Sequence, residues 1–435
     1  MFELLTNKLF LTGLTLILTL ILSVWMVRRY HLTRYQIFIF ILLVLFWSAI
    51  NLIRAYRKAY AGGTAEAGGL GMDAILAANV AAAYGLISIF VRLPFFALSD
   101  FFKSRKFFIG LALVFVFISS IWVVFDPSYM SLLTSSLALG LGASLLSLFN
   151  VLFSETFEEH QALMSVSILS VAPLLAEFLM SPIQYMATLT KPNNYQALWA
   201  ISAGLALLAL VFLYFVKDNK GNTRNFTMAK FKTALSDRRF LVLSLMGVLV
   251  SFVRFASSGS NIVAFAKTDL IAMHPLLVAY IDMVYAGAQL IGGVLVGLYL
   301  KKKIGVRNTM ILGLSLSVLF SIFASFTTNS WALFWLSGLN GFGYGLTYNV
   351  LLGLAMQPFA KDMREITMGI YQTFFAVGIY YGDKIYALIV KFLPAGLSDG
   401  ALYQAVFKFL SVLGMAMILL IYLVFSRKNK AYLEV

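Results

Sequence analysis

The sequence predicts an all-α integral membrane protein: two pseudo-symmetric six-helix bundles preceded by one extra transmembrane helix. Three observations carry this fold class. The 435 residues are 61% hydrophobic and only 12% charged, with a mean hydropathy of +0.89, too few charges to cover a soluble protein of that size. Apolar runs long enough to cross about 30 Å of hydrocarbon as helices recur along the whole chain. The two halves also repeat at an offset of roughly 200 residues: Arg54 falls opposite Arg254, Asp100–Arg105 opposite Lys301–Arg307, and Asn150 opposite Asn349.

The apolar runs give thirteen expected spans in order. The first, 8–27, has no counterpart in the repeat. It lacks a basic n-region and a small-x-small cleavage site before Arg28, so it reads as an appended helix outside the bundle and not as a signal peptide. Residues 1–35 hold this helix and its loop. Spans at 36–58, 74–98, 107–125, 129–153, 163–188 and 195–216 make a first bundle over 36–216. The polar, basic stretch 217–238 is the expected linker, with a short amphipathic helix at the membrane surface. Spans at 239–262, 275–300, 308–327, 330–355, 364–393 and 402–426 make the second bundle over 239–426, and 427–435 is a tail. Aromatic residues, with 39 Phe and 21 Tyr, suit lipid-facing surfaces and interfacial belts.

The formal charge of +15 could suggest nucleic acid, but its placement argues otherwise. Putting Arg28, Arg29 and Arg34 in the cytoplasm and alternating outward collects most of the 33 basic residues on that side. They include Lys103, Arg105, Lys106, the 217–239 group, Lys301–Lys303, Arg307, Lys361, Arg364 and the tail Arg427, Lys428 and Lys430. The expected topology is therefore N-terminus outside and C-terminus cytoplasmic, in a plasma membrane, with a composition leaning to a bacterial source. No nucleic-acid partner is expected. The absence of cysteine excludes a disulfide framework and cysteine-based sites. His31, His160 and His274 have no metal-ligand spacing. There is no Gly-rich phosphate loop ending in Lys-Ser/Thr and no nucleophile–base set, so neither ATP drive nor enzymatic chemistry is expected, and no cofactor. The expected partners are the bilayer and a small-molecule substrate, with a coupling proton or counter-anion, bound to a monomer.

The segment Phe96-Ala-Leu-Ser-Asp100-Phe-Phe-Lys-Ser-Arg105-Lys106 resembles the signature loop of the major facilitator superfamily, roughly G-x-L-A-D-R-x-G-R-K. It keeps Leu98, Asp100 and the Arg105–Lys106 pair. It has Phe96 for the leading Gly and Phe101 for the Arg after the Asp. Gly297-Leu-Tyr-Leu-Lys-Lys-Lys-Ile-Gly305-Val-Arg307 is similar to a degenerate second copy. The resemblance covers 36–426. It implies a major facilitator fold and a secondary transporter working by alternating access between the bundles. It also implies that Asp100, Arg105 and Lys106 form a cytoplasmic gate; the alternative for Asp100 is a simple helix cap.

Charges inside spans are costly and mark function. Arg54, Arg57 and Lys58 lie on the first helix of the first bundle, with Arg54 sharing a face with both others. Arg254 occupies the equivalent helix of the second bundle. Guanidinium forks suit phosphate or carboxylate; the alternative is that Arg54, Arg57 and Lys58 snorkel to headgroups. The pattern resembles the organophosphate:phosphate antiporters, which clasp phosphate with one arginine from each of these helices. The Arg57-Lys58 pair and the Val253-Arg254-Phe255 context match theirs. Lys384, with Tyr348 and Tyr371, joins the candidate substrate-binding set, and a cation at this helix is similar to oxalate:formate-type exchangers. Glu177, Asp282 and Asp383 are candidate coupling carboxylates. Arg92 is a further charge inside a span, and Tyr344, Tyr380 and Tyr381 are further aromatic candidates. The reading is a transporter of a small anion, an organophosphate or carboxylate. The alternatives are a multidrug or lipid-like efflux transporter of the same fold, and a non-transporting receptor or assembly factor.

Overall fold

The computed structural model describes residues 2–425 apart from 103, 146–147, 150–151, 154–155, 158–161, 218–226, 360–362 and 395, and the side chains of 96, 100, 162–167, 170, 364 and 365. Asp100, Lys103, Asn150, His160, Lys361, Arg364 and the tail cations therefore lie outside the described residues or side chains. The described chain is helical, and no strand occurs in it. After one turn at Phe2–Thr6 the helices are α1 Lys8–Tyr30, α2 Arg34–Arg54, α3 Arg57–Gly62, α4 Ala74–Phe101, α5 Arg105–Phe125 and α6 Tyr129–Ser144. Next come α7 Ala162–Thr188, α8 Tyr195–Tyr214, α9 Met228–Ser236, α10 Arg238–Ser257 and α11 Ser260–Ala266. The last are α12 Pro275–Leu295, α13 Lys301–Ala324, α14 Ser330–Met356, α15 Arg364–Ile389 and α16 Asp399–Val424.

Among the described residues nine helical segments are long and apolar enough to cross a membrane. One of them, Pro275–Ala324, holds two expected spans. They join through a π-helical turn at Val296–Leu300 and break at Gly305, whose φ of 80° only glycine adopts readily. Helices α7 and α14, each of 27 residues, also have spanning length. Starts are set by local side-chain chemistry. Thr33 and Gln36 form a reciprocal capping box on α2. Ser104, Asn194, Asp237, Asn329 and Ser398 each accept from a first-turn N–H.

The chain divides into two compact units. Unit 1 is Met1–Asp73 with Pro94–Thr223; unit 2 is Ala74–Leu93 with Arg224–Val435. The division falls inside α4, at Pro94, so the first 20 residues of that helix group with the second half of the sequence.

In unit 1, α2 packs on α7 and α8, α5 on α6 and α8, and α1 lies along α7. Helix α1 leaves most of its apolar side chains exposed, including Leu16, Ile17, Leu20, Ile21 and Trp25. A few polar ties fix the register of the apolar core. Trp199 Nε1 donates to Ser135 Oγ at 3.0 Å, and Ser202 Oγ to the Ala49 carbonyl at 2.6 Å. Gln184 Nε2 donates to the carbonyls of Asn51 and Leu52.

In unit 2, α12 packs on α14, α14 on α13, and α10 on α15. The α12–α14 contact is backbone to backbone. A Cβ at Gly341 or Gly345 would run into the carbonyls of Tyr285 and Gln289, the small-residue solution to close helix approach.

Each unit breaks a helix at equivalent points of the repeat. In unit 1, α2 ends at Arg54 and α3 begins at Arg57. In unit 2, α10 ends at Ser257 and α11 begins at Ser260, with Gly259 at φ 59°, ψ −129° between them.

Candidate functional site

A broken helix leaves orphan carbonyls at its first half's end. Around Arg254 neutral groups meet that need. Ser258 Oγ donates to the Arg254 carbonyl at 2.6 Å, Ser257 Oγ to the Val253 carbonyl at 2.7 Å, and Asn261 Nδ2 to the Phe255 carbonyl at 2.8 Å. The guanidinium is thus left for other work. Its Cζ lies 4.6 Å from the Phe255 ring centre, 4.7 Å from that of Tyr285 and 5.4 Å from that of Tyr344. Nη1 donates to Ser258 Oγ at 2.5 Å. All these partners are neutral, and aromatic faces around a cation orient it without discharging it.

Beside it is a cavity of about 10 Å³, room for one water, lined by Val250, Val253, Arg254, Ser317, Asn340, Tyr344 and Thr347 among others. Asn340 Nδ2 donates to Ser257 Oγ at 2.9 Å, tying α14 to the break.

From Arg254 the aromatic wall continues along α14. Tyr344 stacks on Tyr348 with centres 5.3 Å apart, and Tyr348 meets Phe375 edge-on at 5.3 Å. The Tyr348 hydroxyl accepts from Gln372 Nε2 at 2.9 Å. Gln372 Oε1 accepts from Arg92 Nη1 at 2.8 Å. In unit 2, Arg254 and Arg92 are therefore joined by two tyrosines, Tyr344 and Tyr348, and one amide.

The other expected residues are distributed as follows. Tyr348 is part of this run. Tyr371 is fully buried against Gly247 of α10, and among the described residues its hydroxyl has no hydrogen-bond partner. Lys384 Nζ donates to Tyr380 Oη at 2.9 Å on its own helix. Asp383 is buried and accepts from Ser260 Oγ at 3.3 Å, beside the α10–α11 break. Asp282 is buried on α12 one turn before Tyr285, and among the described residues its Oδ2 has no hydrogen-bond partner.

In unit 1, Arg57 and Lys58 are buried, at 2% and 4% exposure, and Arg54 is half-buried. Arg57 Nε donates to the Arg54 carbonyl at 2.8 Å, the last residue of α2. Glu177 is buried on α7 of the same unit. Arg105 is buried at the start of α5. Lys106 Nζ donates to the carbonyls of Tyr214 and Val216 at 2.6 and 2.9 Å, a cationic cap on the end of α8. Gln372 carried no signal in the sequence. A polar residue in an apolar span was visible there, but its partner 280 positions away was not.

The Major Facilitator Superfamily profile matches residues 35–268 and 243–433. No curated protein matches in sequence. Among solved structures, the fold is similar to the nucleoside transporter NupG, with 14% identity over 90% of this chain and 99% of that one and a TM-score of 0.68. It is also similar to a POT family transporter in complex with a thioalcohol-conjugated peptide, at 15% identity, 92% and 96% coverage and a TM-score of 0.73. A POT family transporter in complex with 5-aminolevulinic acid gives 16%, 91%, 96% and 0.73. These matches carry the superfamily and not its organophosphate:phosphate antiporter branch. The duplicated helical architecture and a profile match spanning both halves lead to one assignment: the chain belongs to the Major Facilitator Superfamily, a family of membrane transporters and not enzymes.

Proposed function

We propose that this secondary transporter moves a small organic anion, a carboxylate or organophosphate, by alternating access. One observation carries the reading. Arg254 is boxed by three aromatic rings and bonded to a serine, and among the described residues no carboxylate is a hydrogen-bond partner. A partly buried cation with neutral neighbours favours the arrival of an anion, because the protein has already met its desolvation cost. The ring faces flank the guanidinium, so its N–H edge is the side that recognises an oxyanion bidentately.

In this proposal the bundles 36–216 and 239–426 are the rocking bodies, joined by 217–238. Asp282, Asp383 and Glu177, all buried, are the candidates for a coupling proton; exchange against a counter-anion is the other mode. Asp100 and Arg105 form the gate, and the plasma membrane with the N-terminus outside is the proposed setting.

The test is a thermal-shift and proteoliposome uptake panel of sugar phosphates, inorganic phosphate, dicarboxylates and lipophilic cations. Peptides and 5-aminolevulinic acid, the ligands named with two structural neighbours, also carry a carboxylate and join the panel. An anion that stabilises the wild type but not Arg254→Ala supports the reading. A response to lipophilic cations alone sinks it in favour of efflux.

A further inference from the structure

We propose that Arg92 forms a second oxyanion subsite, distinct from Arg254 and completed by Gln372 and Tyr348, that takes a carboxylate or phosphoryl group. The proposal rests on the anionic-substrate reading above.

Packing places the subsite. A Cβ at Gly85 would sit 2.5 Å from the Tyr380 backbone N, and one at Gly369 would sit 2.9 Å from Leu93 Cδ2. The two glycines let residues 74–93 lie against α15 in antiparallel register, Gly85 beside Tyr380 and Leu93 beside Gly369. Arg92 and Gln372 meet between those contacts.

Charge calls for a ligand there. A guanidinium stays protonated in proteins. Among the described residues, the hydrogen-bond partner of Arg92 is the neutral Gln372 amide, and its Nε is buried without any. Leaving a donor on a buried cation unmet is costly, and an oxyanion meets it.

Hydrogen-bond direction supplies the rest. Arginine only donates, so Gln372 must turn its Oε1 towards Arg92, which aims its Nε2 at Tyr348. The Tyr348 oxygen thus accepts from Gln372, and its own proton remains to be donated. An oxyanion at this point receives N–H from Arg92 and O–H from Tyr348, both oriented by one amide.

Isothermal titration of the full chain in detergent tests this. The probes are butyrate, inorganic phosphate and the dicarboxylates succinate to adipate; the variants are Arg92→Gln, Gln372→Glu and Arg254→Gln. Gln372→Glu supplies the missing carboxylate internally, so it keeps the contact and blocks the subsite, and it carries the test if Arg92→Gln does not fold. Loss of a charged hydrogen bond predicts about tenfold weaker binding or more. If the subsite holds the second acid of one ligand, both variants reduce a dicarboxylate to the affinity of a monocarboxylate. If it holds a separate ion, stoichiometry for butyrate or phosphate falls from two per chain to one. Either result supports the subsite. Wild-type affinity and stoichiometry in both variants, with binding lost only in Arg254→Gln, overturns it and leaves the anionic reading standing. A wild-type protein that binds no anion overturns both.

Discussion

In unit 1 the helix stops at Arg54 and resumes at Arg57; in unit 2 its counterpart stops at Ser257 and resumes at Ser260. Both breaks have an arginine beside them, yet the arginines serve different ends. Arg57 turns its Nε back onto the Arg54 carbonyl and is 2% exposed. Around Arg254 the carbonyls are met by Ser257, Ser258 and Asn261, and the guanidinium faces aromatic rings instead. A cation at a helix end is drawn to the backbone by the dipole; it becomes available to a ligand where neutral side chains cap the backbone first.

The strongest way to break this comparison is to truncate both arginines. Arg254→Ala is expected to lower uptake about 100-fold or more, the size of losing a charge-paired contact in a buried site, with little change in melting temperature. Arg57→Ala should do the reverse in a detergent melt and lose about 2–3 kcal/mol of stability, as for a hydrogen bond from a buried charge. Equal loss of stability in the two variants would erase the distinction.

Next is the backbone. Gly259 holds φ 59°, ψ −129°, with no atom within 4 Å of a prospective Cβ. Gly259→Ala therefore isolates conformational strain, expected at about 1–3 kcal/mol. Ala55 in the other break is right-handed, so Ala55→Gly should cost no more than about 1 kcal/mol. Chemical denaturation of the two variants compares them directly.

Asn261→Ala removes donors from the Phe255 and Gly382 carbonyls, about 1–2 kcal/mol. It should also weaken anion binding, because an uncapped carbonyl beside the break competes with a ligand for the cation. Unaltered affinity in that variant would show that the capping does not release Arg254.

The smallest effect is a pH dependence outside the spans. His274 caps α12 by accepting from Leu276 N at Nδ1, 3.2 Å. Burial lowers its pKa below the usual 6.5. The unfolded chain then binds the proton more readily, so stability is full above pH 6.5 and declines as pH falls from there towards the lowered folded value. Asn accepts equally well at this position, so His274→Asn should flatten the melting temperature across that window.

The fold was legible because its causes are local or periodic. Apolar length gave the spans, while the breaks at 55–56 and 258–259 fall inside stretches expected as single helices, 36–58 and 239–262. The cost of a charge in an apolar run singled out Arg92 as well as Arg254. The run from Arg254 to Arg92 was not legible, because Gln372 is an ordinary polar residue until α15 lies beside residues 74–93. Nor could the sequence show that Lys106 is spent on the end of α8, since that depends on where α5 and α8 meet. Arg57 shows the same limit: its spacing from Arg54 fixed a shared face, while the carbonyl that its Nε meets is a backbone atom that no residue pattern encodes.

The glycine contact between α12 and α14 has a consequence for how this transporter can change. Substitution at Gly341 or Gly345 pushes a side chain into a neighbouring carbonyl, so a randomised library should recover almost nothing else at those two positions. Tyr344 and Tyr348 stand on the same helix and form the aromatic wall. The glycines index α14 against its neighbour independently of what the wall displays. Residues 344 and 348 can then change without re-docking the helix that presents them.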